Sequence, residues 1–224
     1  MSKIFIANWK SNKNEAEVLE WLKNFDAAQV PDAAEVIIAP SFQLLTIVKE
    51  HLESPLKLAA QDVSSMPMGS YTGAVNAQQL KDSGTEYVIV GHSERRRYFH
   101  ETHADVAKKI DEAIANGLKP ILCVDEDYVQ EQADALSSTD IPGLIVAYEP
   151  LSAIGTGNNA PADQVTEVIE KIKNLFGDVP VLYGGSVDER SVHEYLLISD
   201  GVLVGGASLE PDSFQKVVAA ADTK

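Results

Sequence analysis

Short apolar runs recur along the chain with helical stretches between them, and this alternation is its dominant pattern. The runs occupy residues 4–8, 36–39, 58–60, 87–90, 120–124, 144–148, 181–183 and 202–204. They read as continuously apolar rather than alternating, which predicts strands buried on both faces. Between them, Val18, Leu19, Leu22 and Phe25 follow the helical period, as do Val106, Ile110, Ala113 and Ile114. The clearest helical face comprises Val165, Val168, Ile169, Ile172, Leu175 and Phe176. Start signals agree with these assignments. Asn14 with Glu17, Asn76 with Gln79 and Ser186 with Glu189 have capping-box spacing, and Pro161 suits a first helical position.

Strand and helix thus alternate eight times, the signature of parallel strands covered by helices. The pattern predicts an α/β fold, a closed (β/α)8 barrel in preference to a doubly wound open sheet, built as one domain over residues 1–224. The fifth unit is the weakest. Only residues 126–135 look helical there, before a polar stretch over 137–142.

Composition narrows the partners. Hydrophobic residues make up 45% of the 224 and charged residues 23%, so a sizeable core is available. A formal net charge of −16 argues against nucleic acid or an anionic membrane surface, both of which need basic patches. Any bound anion must therefore be held by local features such as backbone N–H groups and a lysine. The single Cys123 excludes an internal disulfide and suits a reducing compartment. The first apolar run is too short for a signal peptide and no segment reaches membrane-spanning length, so a cytoplasmic location is expected.

In a barrel of this type, functional groups gather at the carboxyl ends of the strands. The sixth run ends at Glu149, followed by Pro150 and a glycine-bearing segment up to Pro161. A carboxylate beside such a segment suggests a catalytic base under a lid. The first run ends at Asn8-Trp9-Lys10, and Asn8 and Lys10, two residues apart, both face the barrel mouth. The fourth leads into Gly91-His92-Ser93-Glu94-Arg95-Arg96, where a short helix starting at Ser93 would keep His92 neutral and able to donate to a substrate oxygen. A histidine packed at a strand end, and a solvated charge run over residues 94–97, fit those residues as well when each is taken alone. The seventh and eighth runs end at Gly184-Gly185-Ser186 and Gly205-Gly206. One glycine pair makes only a tight turn, whereas two on adjacent strands favour phosphate. No cluster has metal-ligand spacing, and Ser93 and Ser186 lack a triad-like neighbourhood. Together these groups predict proton abstraction beside a carbonyl in a small phosphorylated substrate, with Glu149 as base and His92 and Lys10 at the developing oxyanion.

The motifs NWK, GHSERR, AYEP with IGTG, YGGS and VGGAS stand in that order at these strand ends, and in them the chain resembles the triosephosphate isomerase family over essentially its whole length. The resemblance implies interconversion of dihydroxyacetone phosphate and glyceraldehyde 3-phosphate through an enediol(ate), in glycolysis and gluconeogenesis, with no cofactor and no metal. It implies Glu149 as base, His92 as neutral electrophile, Lys10 as cationic partner, Asn8 as a polar neighbour and Glu94 as support for Lys10. Phosphate is expected at Gly155, Ser186, Gly205 and Gly206, and Cys123 is expected to pack beside the glutamate.

Several positions depart from the family pattern. Ser152 stands where most members carry tryptophan, which predicts a looser lid. Asp125 replaces a glycine and puts the local turn in question. Residues 61–73 correspond to the loop that enters a neighbouring subunit, so a homodimer is expected. Asp62 there replaces an asparagine, and Ala74 replaces a glutamate that would pair with Arg95 across the interface, which predicts a weaker dimer.

Overall fold

Strands with apolar residues at successive positions need cover on both faces, and a closed barrel inside a ring of helices provides it. The computed structural model describes residues 2–138, 140–151 and 159–222. Its strands are β1 (Lys3–Asn8), β2 (Ala34–Ala39), β3 (Lys57–Ala60), β4 (Tyr87–Val90), β5 (Lys119–Val124), β6 (Ile145–Tyr148), β7 (Val181–Tyr183) and β8 (Gly201–Val204). They pair in chain order, all parallel, and β8 closes on β1 with Ile4 opposite Gly201 and Ala7 opposite Val204. Closure excludes the open-sheet alternative. Around the strands lie α1 (Glu15–Asn24), α2 (Leu45–His51), α3 (Ala77–Asp82), α4 (Ser93–Phe99), α5 (His103–Ala115), α6 (Val129–Ala135), α7 (Ala162–Phe176), α8 (Val192–Leu196) and α9 (Pro211–Ala219). No described helix is long and apolar enough to cross a membrane.

Two apolar cores follow from strand alternation. One fills the barrel with Ile4, Ile6, Ile37, Ala39, Ile121, Cys123, Ile145, Ala147 and their neighbours. The other lies between barrel and helices and includes Trp9, Trp21, Val88, Val146, Ile172 and Phe214. The period of two matters for the site. Continuing the inward series past each strand end brings Asn8, Asp125, Glu149, Gly184 and Gly205 to the barrel mouth.

Asn14 with Glu17 and Asn76 with Gln79 form reciprocal capping boxes, as their spacing predicts. Ser186 with Glu189 does not. The Asp188 carboxylate instead accepts the N–H groups of Arg190 (2.9 Å) and Ser191 (3.1 Å), making a turn that delays α8 until Val192. Pro161 is the N-cap of α7 rather than its first residue, so the helix opens one residue later than expected. The fifth helix is shorter than the sequence pattern suggests, because residues 125–128 turn before α6 begins at Val129.

A buried ionic cluster ties the segment after β3 to the fourth unit. Asp62 accepts from Lys109 at 2.6 Å and from Arg95 at 2.9 Å, while Glu101 contacts the same two cations. Two acids and two bases thus balance within one chain. Arg95 therefore has carboxylate partners although position 74 is alanine.

Candidate active site

Glu149 continues β6 by one backbone bond, its N–H donating to the Val124 carbonyl at 2.8 Å. Its side chain is almost fully buried, at 1% exposure, so its charge has to be held by defined partners. One carboxylate oxygen accepts from Ser93 N–H at 2.9 Å and the other lies 2.9 Å from His92 Nε2. Burial pushes the Glu149 carboxyl up, but His92, the Ser93 N–H and Lys10 outweigh it and hold the group below its ordinary value.

The fourth strand end presents His92 through a glycine. Gly91 has φ +68°, and a Cβ there would meet Arg96 Nη2 at 2.6 Å and Val106 at 3.1 Å, so both conformation and space require glycine. His92 then caps α4, with Nδ1 accepting the Glu94 N–H at 3.2 Å. That bond leaves the proton on Nε2, aimed at Glu149. Burial pushes the imidazolium pKa down and the Glu149 carboxylate pushes it up, with a net rise while the two are in contact. A proton on Nδ1 would displace the bond from Glu94 N–H, so the arrangement is a neutral imidazole donating to a carboxylate.

Lys10 sits in left-handed backbone, φ +52°, a conformation uncommon for a residue with a side chain. Asn8 Oδ1 accepts its N–H at 3.1 Å, and Gln61 Nε2 donates to its carbonyl at 2.8 Å. Its ammonium donates to Glu94 at 2.6 Å. That ion pair is the contact between Lys10 and Glu94. Cys123 is fully buried beside Glu149, and burial followed by the charge of Glu149 pushes its thiol pKa well up, so it stays protonated and packs.

These groups share a cleft of about 570 Å³ with the glycine-rich strand ends. Asn8, Lys10, His92 and Glu149 line it together with Gly184, Gly185, Ser186, Gly205 and Gly206. A Cβ on Gly205 would stand 3.5 Å from Lys10 Cε, whereas one on Gly206 meets nothing within 4 Å, so backbone at this rim faces open space near the ammonium. Glu94 stands just outside the cleft, reached through Lys10. Gly155 and Ser152 lie outside the described residues. No group of three or more His, Cys, Asp or Glu that could hold a metal ion occurs among the described residues.

Four residues contribute in ways that escaped sequence reasoning. Asn159 lines the cleft with a buried Oδ1 that has no hydrogen-bond partner. Asp188 and Arg190, paired at 3.0 Å, stand at its mouth. The backbone N–H of Ser93 binds the carboxylate, a role no side-chain pattern signals.

An acid and a neutral imidazole in contact at the carboxyl end of a closed parallel barrel mark an enzyme that works by proton transfer. The family model for triosephosphate isomerase matches residues 3–221. The triosephosphate isomerase of Mesomycoplasma hyopneumoniae (strain 7448) is 38% identical over 241 residues, covering 97% of this chain and 99% of that protein. That of Nostoc punctiforme is 40% identical over 238 residues, covering 97% and 98%, and that of Lactiplantibacillus plantarum is 38% identical over 244, covering 96% of each. The chain belongs to the triosephosphate isomerase family, and it is an isomerase of that glycolytic class. Each of these alignments is longer than the 224 residues of the chain, so every one of these relatives carries residues that it lacks.

Proposed function

We propose that the chain interconverts dihydroxyacetone phosphate and D-glyceraldehyde 3-phosphate with Glu149 as the proton-transferring base. The observation that carries this reading is the pairing of a buried carboxylate with a histidine whose Nδ1 is committed to a backbone N–H. Substrate entering the cleft takes the Nε2–H of His92 onto its carbonyl oxygen, which releases Glu149 from that contact. The carboxylate then removes a proton from the carbon beside the carbonyl. Charge moves to the oxygen, where the His92 N–H and the Lys10 ammonium stabilise the enediolate. His92 gives its Nε2 proton to that oxygen and takes the hydroxyl proton from the oxygen of the neighbouring carbon, and return of the Glu149 proton to the former carbonyl carbon then completes the isomerisation. Once substrate parts Glu149 from His92, burial, the largest single influence on the imidazole, disfavours its charged form.

The phosphate is held by backbone N–H groups at Ser186, Gly205, Gly206 and Gly155, with Lys10 as the adjacent cation and Asn8 orienting Lys10. Uncharged backbone donors suit a chain of net charge −16. No cofactor enters any of these steps. The protein is a single barrel domain that works in the cytoplasm as a homodimer through residues 61–73. Exposed Met66, Met68 and Tyr71 in that segment, with Tyr98 and Phe99 at the end of α4, support self-association.

A coupled assay with dihydroxyacetone phosphate tests the reaction, and Glu149→Asp tests the base. Retracting the carboxylate by one methylene should lower kcat by about 100-fold with little change in KM, the cost of roughly 1 Å of misplacement. Turnover equal to wild type would remove Glu149 from the mechanism.

A further inference from the structure

We propose that Asp125 is a positioning residue for the base, clamping the backbone on the far side of Pro150 so that Glu149 is fixed from both directions. The inference rests on the reading of Glu149 as base. The β5–β6 ladder ends with Val124 opposite Tyr148, and the Glu149 N–H extends it by one bond to the Val124 carbonyl. Pro150 has no N–H, so the ladder cannot continue through it. The next donor, the N–H of Leu151, is taken by Asp125 Oδ2 at 2.8 Å. The carboxylate is an ionic acceptor for that amide, and charge-assisted bonds of this type are the stronger ones.

The clamp is itself held rigidly. Asp125 Oδ1 accepts the Asp127 N–H at 3.0 Å, and its carbonyl accepts the Tyr128 N–H at 3.3 Å. The residue is 5% exposed, whereas Leu151 is 50% exposed, so the anchor falls where the chain leaves the packed interior. Among the described residues only Lys10, Lys13 and His100 are non-glycine positions with positive φ, so Asp125 makes its turn without left-handed backbone. A glycine here would leave the turn possible and the Leu151 amide without this acceptor. The aspartate therefore does more than complete a turn; it fixes the segment that carries the catalytic carboxylate.

The test follows Asp125→Ala, Asp125→Asn and Asp125→Ser in the full-length protein. Four quantities are compared with wild type: amide exchange at Leu151, kcat and KM for dihydroxyacetone phosphate, and the kcat isotope effect with substrate deuterated at its hydroxymethyl carbon. Alanine removes both side-chain bonds. Asparagine has a single acceptor oxygen for two N–H groups and so keeps one of them. Loss of Leu151 protection should coincide with a fall in kcat of about 10- to 100-fold, a KM within about twofold, and a larger isotope effect as proton transfer becomes limiting. A variant that keeps the protection should keep kcat. If alanine prevents folding, asparagine and serine carry the comparison. The proposal is overturned by a folded variant with an unprotected Leu151 amide and wild-type kcat and isotope effect. It is equally overturned if Leu151 exchange is unchanged in all three. Wild-type turnover by Glu149→Asp is a separate result and strikes at the base itself.

Discussion

Replacing Lys109 by methionine removes a cation from the buried cluster while keeping most of the side chain's apolar length. Its ammonium lies 2.6 Å from Asp62 and also contacts Glu101, and all three side chains are largely buried. At that separation the gross attraction to Asp62 is about 6 kcal/mol for an effective dielectric constant near 20. Desolvation of the ions takes back much of it. Leaving two buried carboxylates with Arg95 alone should therefore cost ~3 kcal/mol net, or roughly 9 °C in Tm for a chain of this size. The pH dependence supplies a second handle. Burial already raises the Asp62 pKa above its ordinary 3.8 despite Lys109 and Arg95. A raised folded-state pKa means that the associated stability is present below the unfolded value and is lost as pH rises through the folded one. Without Lys109 the folded value climbs further. The variant's deficit should therefore be small near pH 4 and should open as pH rises to 7. Urea unfolding at both pH values measures it. A Tm within about 1 °C of wild type, or a deficit equal at the two pH values, would refute the reasoning.

Two further outcomes are expected. Gly184→Ala brings a methyl to 3.0 Å from Glu149 Cγ and 3.1 Å from the Tyr148 carbonyl, so the base must shift by a few tenths of an ångström; kcat should fall several-fold with Tm nearly unchanged, and unaltered kcat in steady-state assays would show that the carboxylate tolerates the displacement. Phe99→Asp puts a charge on a ring that is 67% exposed; sedimentation should shift the protein towards monomer without loss of helical content, and an unchanged dimer would place the interface elsewhere.

The barrel is legible in the sequence because its strands are covered on both faces, which leaves uninterrupted apolar runs that no helix of comparable length would need. The mouth is legible for the same reason: a polar residue at the end of such a run, Asn8 or Glu149, has nowhere to point except the open end. Ser186 with Glu189 failed as a start signal because Asp188, between them, offers the backbone a competing turn. Capping spacing carries no record of such competition. The ionic cluster was only half visible, since Asp62 departs from the family pattern and Arg95 lacks its expected partner at position 74, whereas no sequence pattern singles out Glu101 and Lys109, which the fold brings to the same two side chains. Asp125 likewise showed as a missing glycine and not as a bond, because its partner is a backbone N–H that has no side chain to betray it.

The two tryptophans give the glycine-rich end of the cleft an optical handle. Trp9 and Trp21 stack edge to face at 5.0 Å, and both indole N–H groups donate to the carbonyl of Ser208, at 3.2 and 3.1 Å. Ser208 closes the turn that begins at Gly205. Both tryptophans are thus wired to the loop proposed to hold the phosphate, and no residue in the cleft itself needs to be labelled. An anion that docks on this loop and displaces that carbonyl would alter both indole hydrogen bonds at once, so tryptophan emission of the unmodified protein is expected to follow occupancy of the cleft.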